Sequence, residues 1–279
     1  MKIALFNDHR VGVVTDETIV DISELVGWDE REPQKSLVQL MATRKEWEKS
    51  LEDWKGRAPS YNLEEIKLQA PVPHPSKIVA APINYIMHQK EMNAALTVDR
   101  LGVFLKAPSS IIGPGDTVRL PFPDRRTDHE AEIAFVIGKR AKDVSVEEAK
   151  DYIFGYTGLM DITVRGKEDR PWRKSFDTFT PIGPWIVTSD EVGDPNELQM
   201  DLWVGDELRQ SVNTKEMIMG CYELLANTSQ VMTLEPGDII TTGTPEGVGP
   251  ITKGDTVRLR IERIGEFSVN VDEKETIKN

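Results

Sequence analysis

The sequence predicts a mostly β chain of the α+β class, headed by a small N-terminal α+β unit. Three observations carry this. Short apolar runs rich in Val, Ile and Phe recur beyond residue 71, Gly-Asp turns open several of them, and a proline-rich connector separates them from a strand-and-helix segment.

Taken in order, "MKIALFNDHRVGVVTDETIVDISEL" at the start reads as short strands divided by polar turns. "SLVQLMATRKEWEKSLEDW" then sets Leu37, Leu40, Trp47, Leu51 and Trp54 at helical spacing, which predicts a helix. In "LQAPVPHPSK", Pro71, Pro73 and Pro75 remove backbone donors and favour an extended connector. The expected division is therefore residues 1–70 and 71–279. "KIVAAPINY" and "GVFLKAP" predict strands, and "GPGDTVRLP", "EPGDIITTG" and "TKGDTVRLRIERI" each predict a Gly-Asp turn feeding one. "GDTVRL" occurs at Gly115 and again at Gly254, a turn-to-strand device used twice and no solenoid period. Two later helices are expected: "SVEEAKDYIF", with Ser145 as N-cap and Glu148 closing a capping box, and "TKEMIMGCYELLANTS".

Composition narrows the function. A chain of 279 residues, 39% hydrophobic, can bury a sizeable core. Its 34 Lys and Arg against 47 Asp and Glu give a formal charge of −13, which repels nucleic acid and anionic membranes, so an anionic ligand needs a local positive site. The apolar run in "MKIALFNDHRVG" is too short for a signal peptide, and no stretch approaches the roughly 20 apolar residues of a spanning helix, so a cytoplasmic location is expected. Cys221 is the sole cysteine; a bound metal would need oxygen ligands.

"TDHEAEIAFVIG" bears on that point. Strand alternation puts Asp128, Glu130 and Glu132 on one face and Ala131, Ile133, Phe135 and Ile137 on the other. Ala134 and Val136 then make the first face apolar as well, so the acids stand at the mouth of a core. A solvated strand end is the plain reading; like charges beside a low-dielectric interior instead invite Mg2+, Mn2+ or Ca2+. Asp161, in the apolar stretch "FGYTGLMDITVRG", supplies a third carboxylate with no other reason to be buried.

The next segment, "RGKEDRPWRKSFDTFTPIGPW", reverses the charge. Arg165, Lys167, Arg170, Arg173 and Lys174 crowd together against Glu168 and Asp169, suggesting carboxylate recognition, although a solvated loop has the same composition. Lys174 opens the half-apolar "KSFDTF", where a packed ammonium beside a metal would stabilise an oxyanion or enolate. "TTGTPEGVG" lacks the Gly-Lys-Ser/Thr of a phosphate loop and reads as a strand end offering hydroxyls and amides to a small ligand, or as plain turn chemistry. Among the histidines, His129 points away from Glu130, whereas His88 has Glu91 at i+3, the arrangement of a carboxylate-assisted base and also of many surface pairs.

"INYIMHQKE", "FLKAPSSIIGPGD", "HEAEIAFVIGK", "GYTGLMDIT", "KSFDTFTPIGPW" and "LEPGDIITTGTPEGVG", in this order, resemble the fumarylacetoacetate hydrolase family over about residues 76 to 272. The resemblance implies rolled, mixed β-sheets, a homodimer, and Mg2+ or Mn2+ held by Glu130, Glu132 and Asp161. It implies a 2-oxo acid substrate, with Lys174 near the reacting oxygens, Arg165 near the substrate, and His88 with Glu91 on a lid that activates water. Thr242 or Thr244 of "TGTP" is implied as a substrate contact. "MDITVRG" and "APINY" depart from the family's common "NDVSARD" and "VGLNY", which leaves substrate identity open. The expected activity is hydrolytic C–C cleavage of a fumarylpyruvate- or acetylpyruvate-like 1,3-diketo acid. Oxaloacetate decarboxylation, hydroxymuconate-type isomerisation and a non-catalytic Ca2+-binding role are the alternatives.

Overall fold

Strands form where β-branched and aromatic residues alternate between polar turns. The computed structural model describes residues 1–274; residues 275–279, the end of the expected second unit, lie outside the described residues. The first 70 residues supply β1 (Lys2–Phe6), β2 (Arg10–Thr15), β3 (Thr18–Asp21), β4 (Ser60–Asn62) and β5 (Leu68–Gln69). There follow β6 (Ile78–Ala80), β7 (Phe104–Lys106), β8 (Ile111–Ile112), β9 (Thr117–Leu120), β10 (Thr127–His129), β11 (Ala131–Ile137), β12 (Ile153–Met160), β13 (Thr163–Val164) and β14 (Thr180–Thr188). The rest are β15 (Gln199–Val204), β16 (Glu207–Asn213), β17 (Ile239–Thr241), β18 (Gly249–Pro250), β19 (Thr256–Ile261) and β20 (Gly265–Glu273).

These strands build three sheets, the two larger ones mixed and the smallest antiparallel. The largest has 12 strands in the order β4-β3-β2-β1-β14-β12-β11-β17-β6-β7, with β5 on β1 and β8 on β14. A five-stranded sheet runs β16-β15-β19-β20-β9, and a three-stranded one β13-β10-β18. β1 pairs antiparallel with β14, Lys2 opposite Val187, so the strands of residues 1–70 extend the sheet that contains β11 and β12. No helix among the described residues is long and apolar enough to cross a membrane.

Both faces of the large sheet are covered, which explains the unbroken apolar character of β11. Ile133, Phe135 and Ile137 pack with Leu202, Leu259 and Phe267 of the five-stranded sheet and with Leu224 and Leu225 of the helix Cys221–Val231. Ala134 and Val136 face the other way, onto Leu37 and Leu40 of the helix Pro33–Ala42. Each such aliphatic or aromatic side chain contributes about 1.5–3 kcal/mol when fully buried, and together they make β11 and β12 a stiff base.

Three helices differ from expectation. The run predicted as one helix is broken into Pro33–Ala42, Arg44–Trp47, a 3-10 turn Glu48–Ser50, and Leu51–Lys55. The break falls at Thr43, whose hydroxyl donates to the Gln39 carbonyl at 2.9 Å, a back-bond that bends helices. The helix expected from "TKEMIMGCYELLANTS" begins only at Cys221, because the chain before it bonds to Asn84: Met219 N donates to Asn84 Oδ1 at 2.8 Å, and Ile218 N to Asn84 O at 2.8 Å. The Ser145–Glu148 capping box forms as its sequence predicts. The helix it opens, however, is a single turn, Val146–Ala149, followed by a 3-10 turn Lys150–Tyr152, and Ile153 and Phe154 already belong to β12 of the large sheet.

The large sheet also sets a steric test. A Cβ on Gly155 would stand 2.3 Å from the Val187 carbonyl oxygen, where β12 meets β14. Gly155→Ala should destabilise the fold by about 1–3 kcal/mol, read as a lower denaturant midpoint at unchanged slope.

Candidate active site

Strand register brings the acids together. Ala131 lies opposite Met160 and Glu132 opposite Leu159, so the next step sets Glu130 opposite Asp161, whose N–H donates to the Glu130 carbonyl at 2.9 Å. Cross-strand partners share a face, as do residues two apart, so Glu130, Glu132 and Asp161 converge. One carboxylate oxygen from each lies within 4.8 Å of the others, and all three side chains are buried. Asp128, one residue pair earlier on β10, stays out of this group and takes Arg126 Nε at 2.7 Å and Arg165 Nε at 2.6 Å.

Cations answer most of this charge. Lys174, last residue of the short helix Arg170–Lys174, donates from Nζ to Glu130 Oε2 at 2.7 Å, Asp161 Oδ2 at 2.5 Å and Thr163 Oγ1 at 2.7 Å. Lys106 on β7 is fully buried and donates to Asp161 Oδ1 at 2.5 Å and to the carbonyls of Lys174 at 2.5 Å and Phe179 at 3.2 Å. Arg165 Nη2 forms an ion pair with Glu130 Oε1 at 2.9 Å. Glu132 has no such partner among the described residues; its Oε2 accepts only the Thr241 hydroxyl and Gly243 N–H.

Protonation equilibria separate accordingly. Burial, and then the charge of Asp161, raise the Glu132 carboxyl above the usual carboxylate range. Burial would raise Glu130 as well, but Lys174, Arg165 and His88 outweigh it and hold that carboxyl below the range. For Lys174, Asp161 and Glu130 overcome the burial that opposes its charge, and its pKa rises. Burial wins at Lys106, lowering its pKa despite Asp161. A buried carboxylate facing two others without a cation of its own is costly, and three carboxylate oxygens form a donor set suited to a hard divalent ion. The residues present therefore fit Mg2+ or Mn2+.

The remaining wall comes from the segment after β6. Asn84 fixes it by donating from Nδ2 to the carbonyls of Met219 at 2.9 Å and Thr242 at 2.8 Å. The short helix Ile86–Glu91 follows, with His88 Nδ1 2.9 Å from Glu91 Oε2. Glu91 Oε1 in turn accepts Gly247 N–H at 3.0 Å. Gly247 has φ +89, and a Cβ there would sit 2.2 Å from the Arg209 carbonyl oxygen, so only glycine presents its N–H this way. His88, Glu130, Glu132, Asp161, Arg165, Lys174 and Thr244 all line one cleft, joined by Phe104, Met92, Arg170 and Arg173.

One expected contact is placed differently: Thr242 is absent from the cleft wall, because its hydroxyl turns back to the Ile133 carbonyl at 3.0 Å. Glu91 stands behind His88 as its hydrogen-bonded partner. His129 lies away from the acids, with Nδ1 3.1 Å from Gln210 Oε1. Sequence reasoning missed Lys106 and Gln210, and it placed Thr241 among the hydroxyls of "TTGTPEGVG" without its bond to Glu132. Lys106 carried a usable signal, a lone charge inside the apolar "GVFLKAP". Gln210 carried none: it sits on the polar strand β16, yet accepts Ala131 N–H at 2.9 Å and donates to Thr244 Oγ1 at 2.8 Å.

Comparison with known proteins agrees with this arrangement. Residues 77–272 match the family model described as fumarylacetoacetate (FAA) hydrolase C-terminal. A maleylpyruvate hydrolase of Aquipseudomonas alcaligenes is 42% identical, over 97% of this chain and 99% of its own length. A mitochondrial oxaloacetate tautomerase of Xenopus laevis is 40% identical over 73% of this chain and 67% of its own. The crystal structure of maleylpyruvate hydrolase from Sphingobium sp. SYK-6, in complex with manganese(II) and pyruvate, superposes with a TM-score of 0.90 at 41% identity, covering 99% of this chain and all of that one. On the matched residues, the sheet order and the ordered motifs, the chain belongs to the fumarylacetoacetate hydrolase family.

Proposed function

We propose that the chain hydrolyses the C3–C4 bond of an acylpyruvate of the maleylpyruvate type, with a divalent cation held by Glu130, Glu132 and Asp161. The observation that carries this is Glu132, a buried acid beside two others with no cation of its own among the described residues, on the same cleft as His88, which Glu91 backs. The two relatives called maleylpyruvate hydrolases support the substrate type, and manganese with pyruvate in one of them supports the cofactor. Bound there, Mg2+ or Mn2+ supplies positive charge that polarises the carboxylate and oxo oxygens of the 2-oxo acid.

The chain's own residues do the rest. Glu91 accepts the Nδ1 proton of His88, which leaves Nε2 as the basic nitrogen, and Gly247 holds Glu91 in place. His88 takes a proton from water, and the hydroxide adds to the C4 carbonyl. As that adduct collapses, the C3–C4 bond breaks; its electron pair passes to the pyruvate fragment as an enolate, and the acyl group leaves as a carboxylic acid, which loses its proton to solvent. Lys174, a fixed ammonium in the cleft wall, stabilises the enolate oxygen. His88 then returns its proton to C3, giving pyruvate. Thr244, held by Gln210, is the hydroxyl available to the substrate, and Arg165 secures both Asp128 and Glu130.

The same reading assigns all these side chains to residues 71–279, leaving 1–70 as a supporting unit. It includes a homodimer, supported by exposed Ile86, Met87, Met92, Leu96 and Leu105 within one short segment. It includes a cytoplasmic location, in keeping with a single, unpaired and buried Cys221.

Two predictions test it. At Mn2+ about 100-fold above its Kd, the wild type should gain roughly 2.7 kcal/mol of stability. Glu132→Gln should lose that gain in a thermal-shift titration while its metal-free stability stays within about 1 kcal/mol, because the amide oxygen still accepts from Thr241 and Gly243. An undiminished Mn2+ response in this variant would remove Glu132 from the cation site. Separately, His88→Gln should slow pyruvate release from an acylpyruvate by about 10²- to 10⁴-fold while keeping the Mn2+-dependent thermal shift given by oxalate. If the wild type released no pyruvate from maleylpyruvate or acetylpyruvate yet tautomerised oxaloacetate, the hydrolytic reading would fall.

A further inference from the structure

The cleft holds two positive charges that neither the acids nor the proposed reaction uses. Of the four buried carboxylates, Asp128 is matched by Arg126 and Arg165, Glu130 by Lys174 and Arg165, and Asp161 by Lys106 and Lys174. Four cations thus stand against four acids, the unpaired Glu132 included, and the site is balanced before Arg170 and Arg173 are counted.

Both arginines line the cleft and both are half-buried. Neither forms an ion pair among the described residues. Arg170 makes no hydrogen bond there, and Arg173 reaches only main-chain oxygens: Glu168 O from Nε at 2.7 Å and Val164 O from Nη1 at 3.5 Å. Those bonds fix the Arg173 guanidinium and leave Nη2 free. Burial, and then the nearby charge of Arg165, lower the Arg173 pKa. A solvated loop would spread such charges into water. Here they are turned onto the wall of a partly closed cleft, where unpaired cations call for an anion.

The segment carrying them is braced. Arg125 grips Glu168 through two bonds of 2.9 Å, and its guanidinium lies 5.1 Å from the Phe122 ring centroid and 5.4 Å from that of Trp172. Trp172 stacks on Phe122 at 6.2 Å and meets Phe176 edge-on at 5.0 Å. The short helix Arg170–Lys174 is thereby held between this aromatic cluster and the buried ammonium of Lys174. Two guanidinium forks on such a support lose little freedom on binding a carboxylate.

We infer that Arg170 and Arg173 form a second carboxylate subsite, which selects acylpyruvates whose acyl group itself ends in a carboxylate. This rests on the acylpyruvate reading, since the first carboxylate of the 2-oxo acid is assigned there to the acidic end of the cleft. With that carboxylate placed there, the two arginines are the cleft-lining cations left for a second one, and a neutral acyl group leaves them without an anion.

The test separates this subsite from the reaction. Affinities of the Mn2+-loaded protein for 2-oxopimelate and 2-oxoheptanoate, equal in chain length and differing in a terminal carboxylate, are measured by calorimetry. The wild type should prefer the dicarboxylate by roughly 10- to 100-fold. Arg170→Met and Arg173→Met should each shrink that ratio, and the double variant should bring it near one, while affinity for 2-oxoheptanoate changes less than about threefold. Arg173→Lys should keep part of the preference, and Arg170→Met, at a side chain with no hydrogen bond or ion pair among the described residues, keeps the test readable if the Arg173 variants misfold. A wild-type ratio near one, a ratio untouched by the variants, or equal loss for both ligands would overturn the subsite. A preserved preference in a protein that releases no pyruvate would uphold the subsite and overturn the hydrolytic reading.

Discussion

Mutual repulsion among Asp128, Glu130, Glu132 and Asp161 organises the molecule around its cleft. All four are buried, at 0–5% exposure, in a chain whose formal charge is already −13. Unpaired, such groups would take up protons or unfold the region. The fold answers by importing cations from distant parts of the chain: Lys106 from an edge strand, Lys174 from a one-turn helix, Arg126 and Arg165 from the flanks of β10 and β13. Three of the four acids gain hydrogen-bonded cations in this way. Glu132 receives a hydroxyl and an amide instead, which favour its charge without cancelling it. The imbalance is local and directional, and a divalent ion among three carboxylate oxygens is its simplest resolution.

That arrangement requires a base that does not give way. β11 and β12 are apolar on both faces, so the Glu130–Asp161 pairing is backed by one core against the five-stranded sheet and another against the N-terminal helix. Sites on strands buried this fully hold their geometry more tightly than sites on loops. The His88 side differs. Its short helix presents exposed Ile86 and Met87 and is tied down at its ends, by Asn84 to the strand β17 exit and by Glu91 to Gly247.

Much of the site was legible because buried charge leaves a mark in sequence. Glu130, Glu132 and Asp161 stand out as acids entering apolar runs, and the structure brings them within one cluster. Lys106 leaves the same mark, and weighing lone cations as closely as lone acids would have found it. Thr242 went astray because strand parity does not say which of two neighbouring threonines turns toward the backbone; the Ile133 carbonyl decides that. Gln210 lay beyond reach altogether, since nothing in "ELRQSVN" reveals that β16 passes behind β11 and lends an amide to Ala131 and Thr244. The helix break at Thr43 and the late start at Cys221 have the same origin. Local spacing predicts that a helix is favourable, while a hydroxyl or a buried Asn84 competing for main-chain groups decides where it stops.

Chemistry and selectivity are also coupled through one stretch of chain. Between Asp161 and Lys174 lie a proposed cation ligand, the arginine shared by two buried acids, the two surplus arginines and the ammonium that closes the acid cluster. The Lys174 ammonium is pinned by Asp161, Glu130 and Thr163, and its carbonyl by Lys106, so the helix carrying Arg170 and Arg173 is anchored at the acidic centre itself. A change that loosened the acid cluster would therefore also displace the arginines. The reverse does not follow: the Arg170 side chain makes no hydrogen bond or ion pair among the described residues, so altering it removes no bond to the acids. Recognition of the far end of a substrate can thus vary at that position without disturbing the balance of charge at the reacting end.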